Sequence, residues 1–332
     1  MNNQTILIGF YKGLGDFINI VPILIELNKN FKLYVLVSPT IFPFIEHFNL
    51  TNGITFISFD TVSSGSYAGQ LKLFFKLLAT KFDFFFIAPD PQSKNTSRLI
   101  PIFARLLKIF KGKNSFVIVG SVFDRLSNFY DLRLPVSKLI PLLERNLQLF
   151  SLTNFLPSGF IPNLNIFKKL DCSPVKYDVV IHPGASSINR TLPLEYLESI
   201  VKCLTSKNLK IVLIGRDDDL KPYADMSTSV EFFSGPLSSM LSLIKGSRLI
   251  ITMDSGFSHV ASMLGMHHIV LMGPGDVRAT PPSGVNSYVI HTKQQLECMP
   301  CNSNRCFRGS NVCLTTISPS QILNAVDLAL NR

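Results

Sequence analysis

The sequence predicts an α/β protein of two doubly wound, Rossmann-like halves facing a central cleft. Short apolar runs alternate with stretches of helical spacing, the pattern of parallel strands covered by helices. That alternation is interrupted around Pro157, Pro162 and Pro174 and then starts again. A length of 332 residues favours two domains over one.

The elements follow in order. Residues 5–10 form a short apolar strand, 13–16 a turn, and 17–28 carry helical spacing of apolar residues. Strands are expected at 33–37, 54–59, 84–88 and 116–119, with a helix over 70–80. After a linker, the second series has strands at 177–181, 210–214, 247–252 and 269–272, with a helix over 194–204. Residues 318–330 are helical, with Ser318 as cap and Pro319 in the first turn. The domains expected are 1–160, a linker at 161–176, 177–316, and a C-terminal helix at 317–332. In such sheets ligands sit beyond the carboxyl ends of the strands, where the motifs below fall.

Hydrophobic residues make up 46% of the chain and charged ones 16%, which excludes a disordered protein. A net charge of +10 suits an acidic partner: a nucleotide, a phosphorylated glycan or an anionic membrane face. The basic residues are mixed into helix faces and form no stripe with stacking aromatics, so no nucleic-acid partner is expected. The first apolar stretch is broken by Lys12, Gly13, Gly15 and Asp16, and no run reaches the roughly 18 residues a span needs. The expected location is the cytoplasm.

The most informative motif is the strand–turn–helix at 249–265 with Asp254-Ser255-Gly256 and His259 at its turn. A helix N-terminus offers unpaired N–H groups and the positive end of the dipole, and Gly256 allows close approach of a phosphate. His259 lies about one turn beyond Ser255, on the same side. The alternative is a capping Asp254 and a core histidine.

A second loop, His182-Pro183-Gly184-Ala185-Ser186-Ser187-Ile188-Asn189-Arg190, directly follows a strand. Gly184, Ser186 and Ser187 suit a phosphate, and Arg190 can hold a diphosphate bidentately. An ordinary loop with an exposed arginine is the alternative. At the first strand–helix turn, Lys12-Gly13-Leu14-Gly15-Asp16 lacks the third glycine of a dinucleotide fingerprint. Asp16 there can act as a base toward a hydroxyl, or cap the helix. Asp217-Asp218-Asp219 can meet a ribose, hold a metal, or simply start a helix.

Cys298, Cys301, Cys306 and Cys313 follow C-x2-C-x4-C-x6-C spacing. Such density suits a structural zinc or iron, with free structural thiols the alternative. Cys172 and Cys203 read as isolated core residues. Residues 94–113 hold Lys94, Arg98, Arg105, Lys108, Lys111 and Lys113 and no acid, with an apolar face. This is a basic amphipathic helix, either peripheral at an anionic inner membrane or solvated on its basic side.

Taken together, these motifs resemble glycosyltransferase family 9, the ADP-heptose:lipopolysaccharide heptosyltransferase family. The resemblance spans nearly the whole chain. It rests on Gly-x-Gly-Asp at 13–16, the His-Pro-Gly loop with Arg190 and Pro193, Asp254-Ser255-Gly256-x-x-His259 with Gly273-Pro274, and the cysteine tail. It implies the GT-B fold and an inverting, metal-independent transfer of heptose from ADP-heptose. The acceptor implied is a hydroxyl of a lipopolysaccharide core or related acidic glycan or glycolipid. Another nucleotide sugar, a protein acceptor or a GT-B nucleotide-sugar epimerase are the alternatives.

By the resemblance, Asp16 is the general base, with Lys12, Gly13 and Gly15 on the acceptor side. Ser186, Ser187, Arg190, Asp219, Asp254, Ser255, Gly256 and His259 bind the donor. No cofactor is required for transfer. Arg190 stands where the family usually has Lys, and Thr191-Leu192 replaces a basic–aromatic pair.

Overall fold

The computed structural model describes residues 4–11, 13–59, 67–87, 100–122, 126–136, 140–164, 166–167, 175–226, 230–278, 280–282, 284–301, 303 and 305–331. The chain divides into two compact units, Met1–Pro162 and Asn163–Arg332.

The first unit runs β1 (Thr5–Tyr11), α1 (Leu14–Leu27), β2 (Lys32–Val37), α2 (Phe42–His47), β3 (Ile54–Ser58), α3 (Tyr67–Ala79), β4 (Phe84–Ile87), α4 (Ile100–Lys111), β5 (Val117–Ser121), β6 (Leu132–Leu134) and α5 (Leu142–Ser151). Its six strands pair in parallel in the order β3-β2-β1-β4-β5-β6. The order reverses between β1 and β4, so the turn after β1 leaves the sheet at its switch point.

Helix α1 begins at Leu14, earlier than its apolar spacing implies, because the extended Gly13 (φ −92°, ψ 145°) forms its N-cap. Asp16 therefore lies in the first turn and is not the cap. The helix runs through Pro22, which has no N–H to offer the carbonyl of Ile18.

The chain has 27 phenylalanines and no tryptophan, and phenylalanine builds much of this core. Phe86 stacks on Phe150 at 4.6 Å, while Phe155 meets Phe31 and Phe84 edge-on, both at 4.9 Å. Each such pair adds about 1 kcal/mol beyond burial. On the other face Leu7, Leu36 and Phe85 pack against Leu77 of α3 and Leu107 of α4.

The expected basic side of α4 is corrected by this packing. Arg105 and Lys108 both pair with Asp131, at 2.8 and 2.6 Å. Lys111 donates to the carbonyls of Leu77, Leu78 and Thr80 at the carboxyl end of α3 (3.2, 2.7 and 2.7 Å). The cations fasten the helix to its neighbours, and Leu106, Ile109 and Phe110 face outward instead. Residues 94–99, with Lys94 and Arg98, lie outside the described residues.

The second unit runs β7 (Tyr177–His182), α6 (Leu194–Thr205), β8 (Ile211–Gly215), α7 (Asp217–Leu220), β9 (Glu231–Ser234), α8 (Leu237–Lys245), β10 (Ser247–Met253), α9 (Gly256–Met263), β11 (His268–Met272), β12 (Ser287–His291), α10 (Val312–Thr315) and α11 (Pro319–Leu330). Its sheet is again wholly parallel, ordered β12-β11-β10-β7-β8-β9. All of β10 except Arg248 is buried, as a central strand covered on both faces requires.

Val179, Ile181, Leu213, Ile251 and Leu271 of the strands pack with Leu197 of α6 and Val326 of α11 in one core. Ser318 caps α11 as expected, accepting from Gln321 N at 3.3 Å, and Pro319 opens its first turn. Cys203 is half-buried on α6 and not a core residue. Cys172 lies outside the described residues. No helix among the described residues is long and apolar enough to cross a membrane.

Candidate functional site

The two donor-type motifs meet because β7 and β10 are neighbours at the switch point of the second sheet. Thr252 stands opposite His182 in the ladder, so the loop after β7 and the turn after β10 emerge side by side. Arg190 closes a turn of 3-10 helix at Ile188–Arg190. Its Nη1 stands 3.3 Å from Asp254 Oδ2. The separation suits an ion pair but the angle does not suit a hydrogen bond, since Asp254 Oδ2 has no hydrogen-bond partner among the described residues.

Asp254 is buried. Burial pushes its carboxyl above the ordinary carboxylate range and outweighs both the Arg190 charge and a hydrogen bond from Thr280. Asp254 does not cap α9: the extended Ser255 is the N-cap, with its hydroxyl 3.2 Å from that of Thr252. The N–H groups of the first turn of α9 thus open beside a paired arginine, two features that attract a diphosphate.

His259 is buried in α9, and burial pushes it down to about 4, with the nearby His268 adding to the shift. It is therefore neutral at pH 7 and offers a hydrogen bond, not a positive charge, to any ligand. His182 is likewise pushed down to about 4 by burial, against the pull of Asp219. Its ring lies 4.2 Å from that of Phe257, tilted by 31°. Its Nδ1 has no partner among the described residues.

In the loop after β7, Ser186 is exposed and Ser187 is half-buried. Ser187 Oγ donates to Asn189 Oδ1, and Leu192 N donates to Pro183 O at 3.0 Å, which folds the loop back on itself. Asp219 clasps Arg216 through two side-chain hydrogen bonds of 2.8 and 2.9 Å, which hold its carboxyl below the usual range. The triplet at 217–219 forms the first turn of the short α7. A groove of about 880 Å³ is lined by Gly184, Leu192, Tyr196, Asp219, Tyr223 and Asn311. Arg190, Asp254 and His259 are not among its walls.

Sequence reasoning missed the residues that set this geometry. A Cβ at Gly275 would meet Asp254 Oδ2 at 2.5 Å, so glycine there lets the turn pass without displacing the carboxylate. The Gly273-Pro274-Gly275 run after β11 was the available signal. Asn189 and Asn311 tie the arginine loop to the cysteine segment. Asn189 Nδ2 donates to the Ser303 carbonyl, and Asn311 Nδ2 lies 3.4 Å from the carbonyls of both Ile188 and Thr191.

Cys298, Cys301, Cys306 and Cys313 come near one another. Burial first, then the charges of Cys306, Cys298 and Cys301, push the Cys313 thiol up to about 11. Burial alone raises Cys306, but N–H groups of Arg308, Asn311, Ser310 and Gly309 outweigh it and hold that thiol below its ordinary value. Among the described residues no three His, Cys, Asp or Glu side chains are arranged to hold a metal ion.

In the first unit Asp16 is exposed in the first turn of α1, between Gly15 and the buried Phe17. A Cβ at Gly13 would lie 3.2 Å from its Oδ2, so the carboxylate folds over the helix start. Gly13 and Gly15 are half-buried there, while Lys12 lies outside the described residues.

The family model for glycosyltransferase family 9 (heptosyltransferase) matches residues 117–310. No curated protein sequence matches the chain. The solved structure of the E. coli heptosyltransferase WaaC with ADP is similar, with TM-score 0.73 and 16% identity over 98% of this chain and 100% of that one. The glycosyl transferase family 9 protein from Veillonella parvula DSM 2008 gives TM-score 0.75 and 18% identity over 100% of this chain and 98% of that one. The E. coli ADP-heptose lps heptosyltransferase II gives TM-score 0.69 and 18% identity over 99% and 98%. At these identities the likeness is one of fold. It identifies the two parallel six-stranded sheets as the GT-B arrangement that the sequence predicts.

Proposed function

The chain belongs to glycosyltransferase family 9, and from that premise we propose that it transfers a heptose from ADP-heptose to a hydroxyl of a lipopolysaccharide core or related acidic surface glycan. The transfer is inverting, needs no divalent metal and takes place in the cytoplasm. The acceptor oxygen bonds to the anomeric carbon as the bond from that carbon to the diphosphate breaks. The acceptor's proton goes to Asp16, and ADP leaves with the bonding electrons. Arg190 and the N–H groups at the start of α9 take up the charge that develops on the diphosphate. Asp254, buried beside Arg190, orients that guanidinium and accepts from a sugar hydroxyl. Asp219 accepts from the ribose.

The observation that carries this reading is the Arg190–Asp254 pair, 3.3 Å apart beside the start of α9 at the sheet's switch point. WaaC, which is similar in fold, has been solved with ADP, which supports an adenine nucleotide here.

Thermal stabilisation by ADP-heptose, ADP, UDP-sugars and GDP-sugars tests the donor. A shift confined to the adenine series is expected, and one confined to UDP or GDP compounds overturns the donor assignment. Asp16→Asn is expected to keep the ADP shift while lowering transfer by at least about 100-fold. Near-normal transfer by the folded variant overturns the base assignment. Interconversion of a nucleotide sugar without any acceptor favours an epimerase.

A further inference from the structure

The face shared by α3 and α4 is apolar where it meets solvent. Leu71 is 57% exposed, Phe75 63%, Ile109 59% and Phe110 70%, with Leu106 beside them. Phe74 joins the two helices: its ring lies 6.1 Å from Phe75, 5.7 Å from Phe103 and 5.5 Å from Phe110. The exposed residues therefore form one patch across two helices. Contiguous apolar surface of this kind marks an interaction site.

Among the described residues of the two helices themselves, charge is of one sign. Lys72 and Lys76 are exposed on α3 next to Leu71 and Phe75, and Lys81 and Lys113 are exposed just beyond the two helices. Neither helix contains an acid. Within residues 67–87 and 100–122 the one acid is Asp83, whose Oδ2 accepts the Thr5 N–H at 2.7 Å. The remaining cations of α4 are spent on Asp131 and on the end of α3.

We propose that this α3–α4 face docks on an anionic lipid bilayer. Phe75, Ile109 and Phe110 enter the headgroup–acyl boundary, and Lys72 and Lys76 meet lipid phosphates. A bilayer supplies both things the patch lacks, an apolar layer and a surrounding negative charge. A second copy of the chain supplies only the first. A two-fold contact would press the patch on itself and bring Lys72 and Lys76 of both copies together with no acid to answer them. The inference concerns a surface separate from the donor seat and does not depend on the identity of the donor.

The test is vesicle flotation of the full chain with phosphatidylcholine alone and with phosphatidylcholine plus phosphatidylglycerol. Two variants accompany the wild type, Phe75→Ser/Phe110→Ser and Lys72→Gln/Lys76→Gln, each with its melting temperature as a check of folding. The wild type is expected to float with the anionic vesicles. Each variant is expected to lose at least about tenfold in partition, because two exposed rings that enter the bilayer or two surface cations are removed. Should the phenylalanine variant melt early, the lysine variant, altered only at exposed positions, decides. Failure of the wild type to float with anionic vesicles overturns the proposal, as does flotation unchanged by either variant. So does a concentration-dependent dimer that the phenylalanine variant abolishes with no vesicle uptake, which assigns the face to a second copy.

Discussion

Replacing Arg190 by Ala separates what this residue does for the fold from what it does for a ligand. The guanidinium lies 3.3 Å from Asp254 Oδ2, a gross attraction of about 5 kcal/mol at an effective dielectric near 20. Asp254 is only 7% exposed and Arg190 21%, so the arginine keeps some solvent and part of that attraction is already screened. Losing one partner of a fully buried pair costs about 3–5 kcal/mol, and the discount for exposure brings the expected loss to about 2 kcal/mol. That is a fall of about 4–8 °C in the melting of the second unit.

The pH dependence follows from the direction of the Asp254 shift. Burial holds its carboxyl above the ordinary range. The group therefore favours the folded state below that range and weighs against it as pH rises through the folded value. Removing Arg190 raises the folded value further. The gap between Arg190→Ala and wild type is expected to be widest where Asp254 is ionised in both proteins and to close as pH falls through the raised folded values.

Arg190→Ala/Asp254→Asn removes the orphaned charge and is expected to recover most of the stability without recovering stabilisation by ADP. Calorimetry with and without ADP reads both quantities on the same samples. A single variant as stable as wild type at pH 7, or a double variant no more stable than the single one, refutes the electrostatic argument. A full ADP shift in Arg190→Ala refutes its role on the diphosphate.

Other residues give equally definite expectations. Gly275→Ala puts a carbon 2.5 Å from Asp254 Oδ2, so the carboxylate must retreat from Arg190; a loss of about 1–3 kcal/mol in thermal stability and a smaller ADP shift are expected. Asp131 is held below the ordinary carboxylate range: burial raises it, but bonds from Lys108, Ile118 and Arg105 prevail. Asp131→Asn is therefore expected to cost about 1–2 kcal/mol in urea unfolding at neutral pH, with the difference lost only as pH falls below the ordinary carboxylate range and through the lowered native value. In timed alkylation at neutral pH followed by peptide mass spectrometry, Cys306 is expected to react first and Cys313 last; the reverse order contradicts the N–H environment described for Cys306.

The central strands are legible because their burial on both faces leaves continuous apolar runs, such as Ile250 to Met253 in β10. The edge strands β6, β9 and β12 are not. Leu132–Leu134 and Glu231–Ser234 are short and mostly exposed, and Ser287–His291 alternates little, so none carries a period. Of the site, contiguous motifs such as Asp254-Ser255-Gly256 could be read directly, because a strand–turn–helix is local. The clearance at Gly275 and the anchoring of Asn189 depend on residues brought together only by folding. The neutral state of His259 was equally hidden, since burial sets it and spacing does not.

The hydrogen bonds of the arginine loop also set an order of events during synthesis. Residues 183–192 leave the ribosome well before the groups that hold them, namely the Ser303 carbonyl and Asn311. Tyr196, at the start of the following helix, donates to the Ile317 carbonyl, and α11 completes the same core. The loop thus closes contacts more than a hundred residues away along the chain, a slow class of contact. A nascent chain that has emerged only through β12 has made every described strand of both sheets and still has no fastened arginine loop. Competence to hold a donor is then gained only once residues 303–317 have emerged and folded back on the loop.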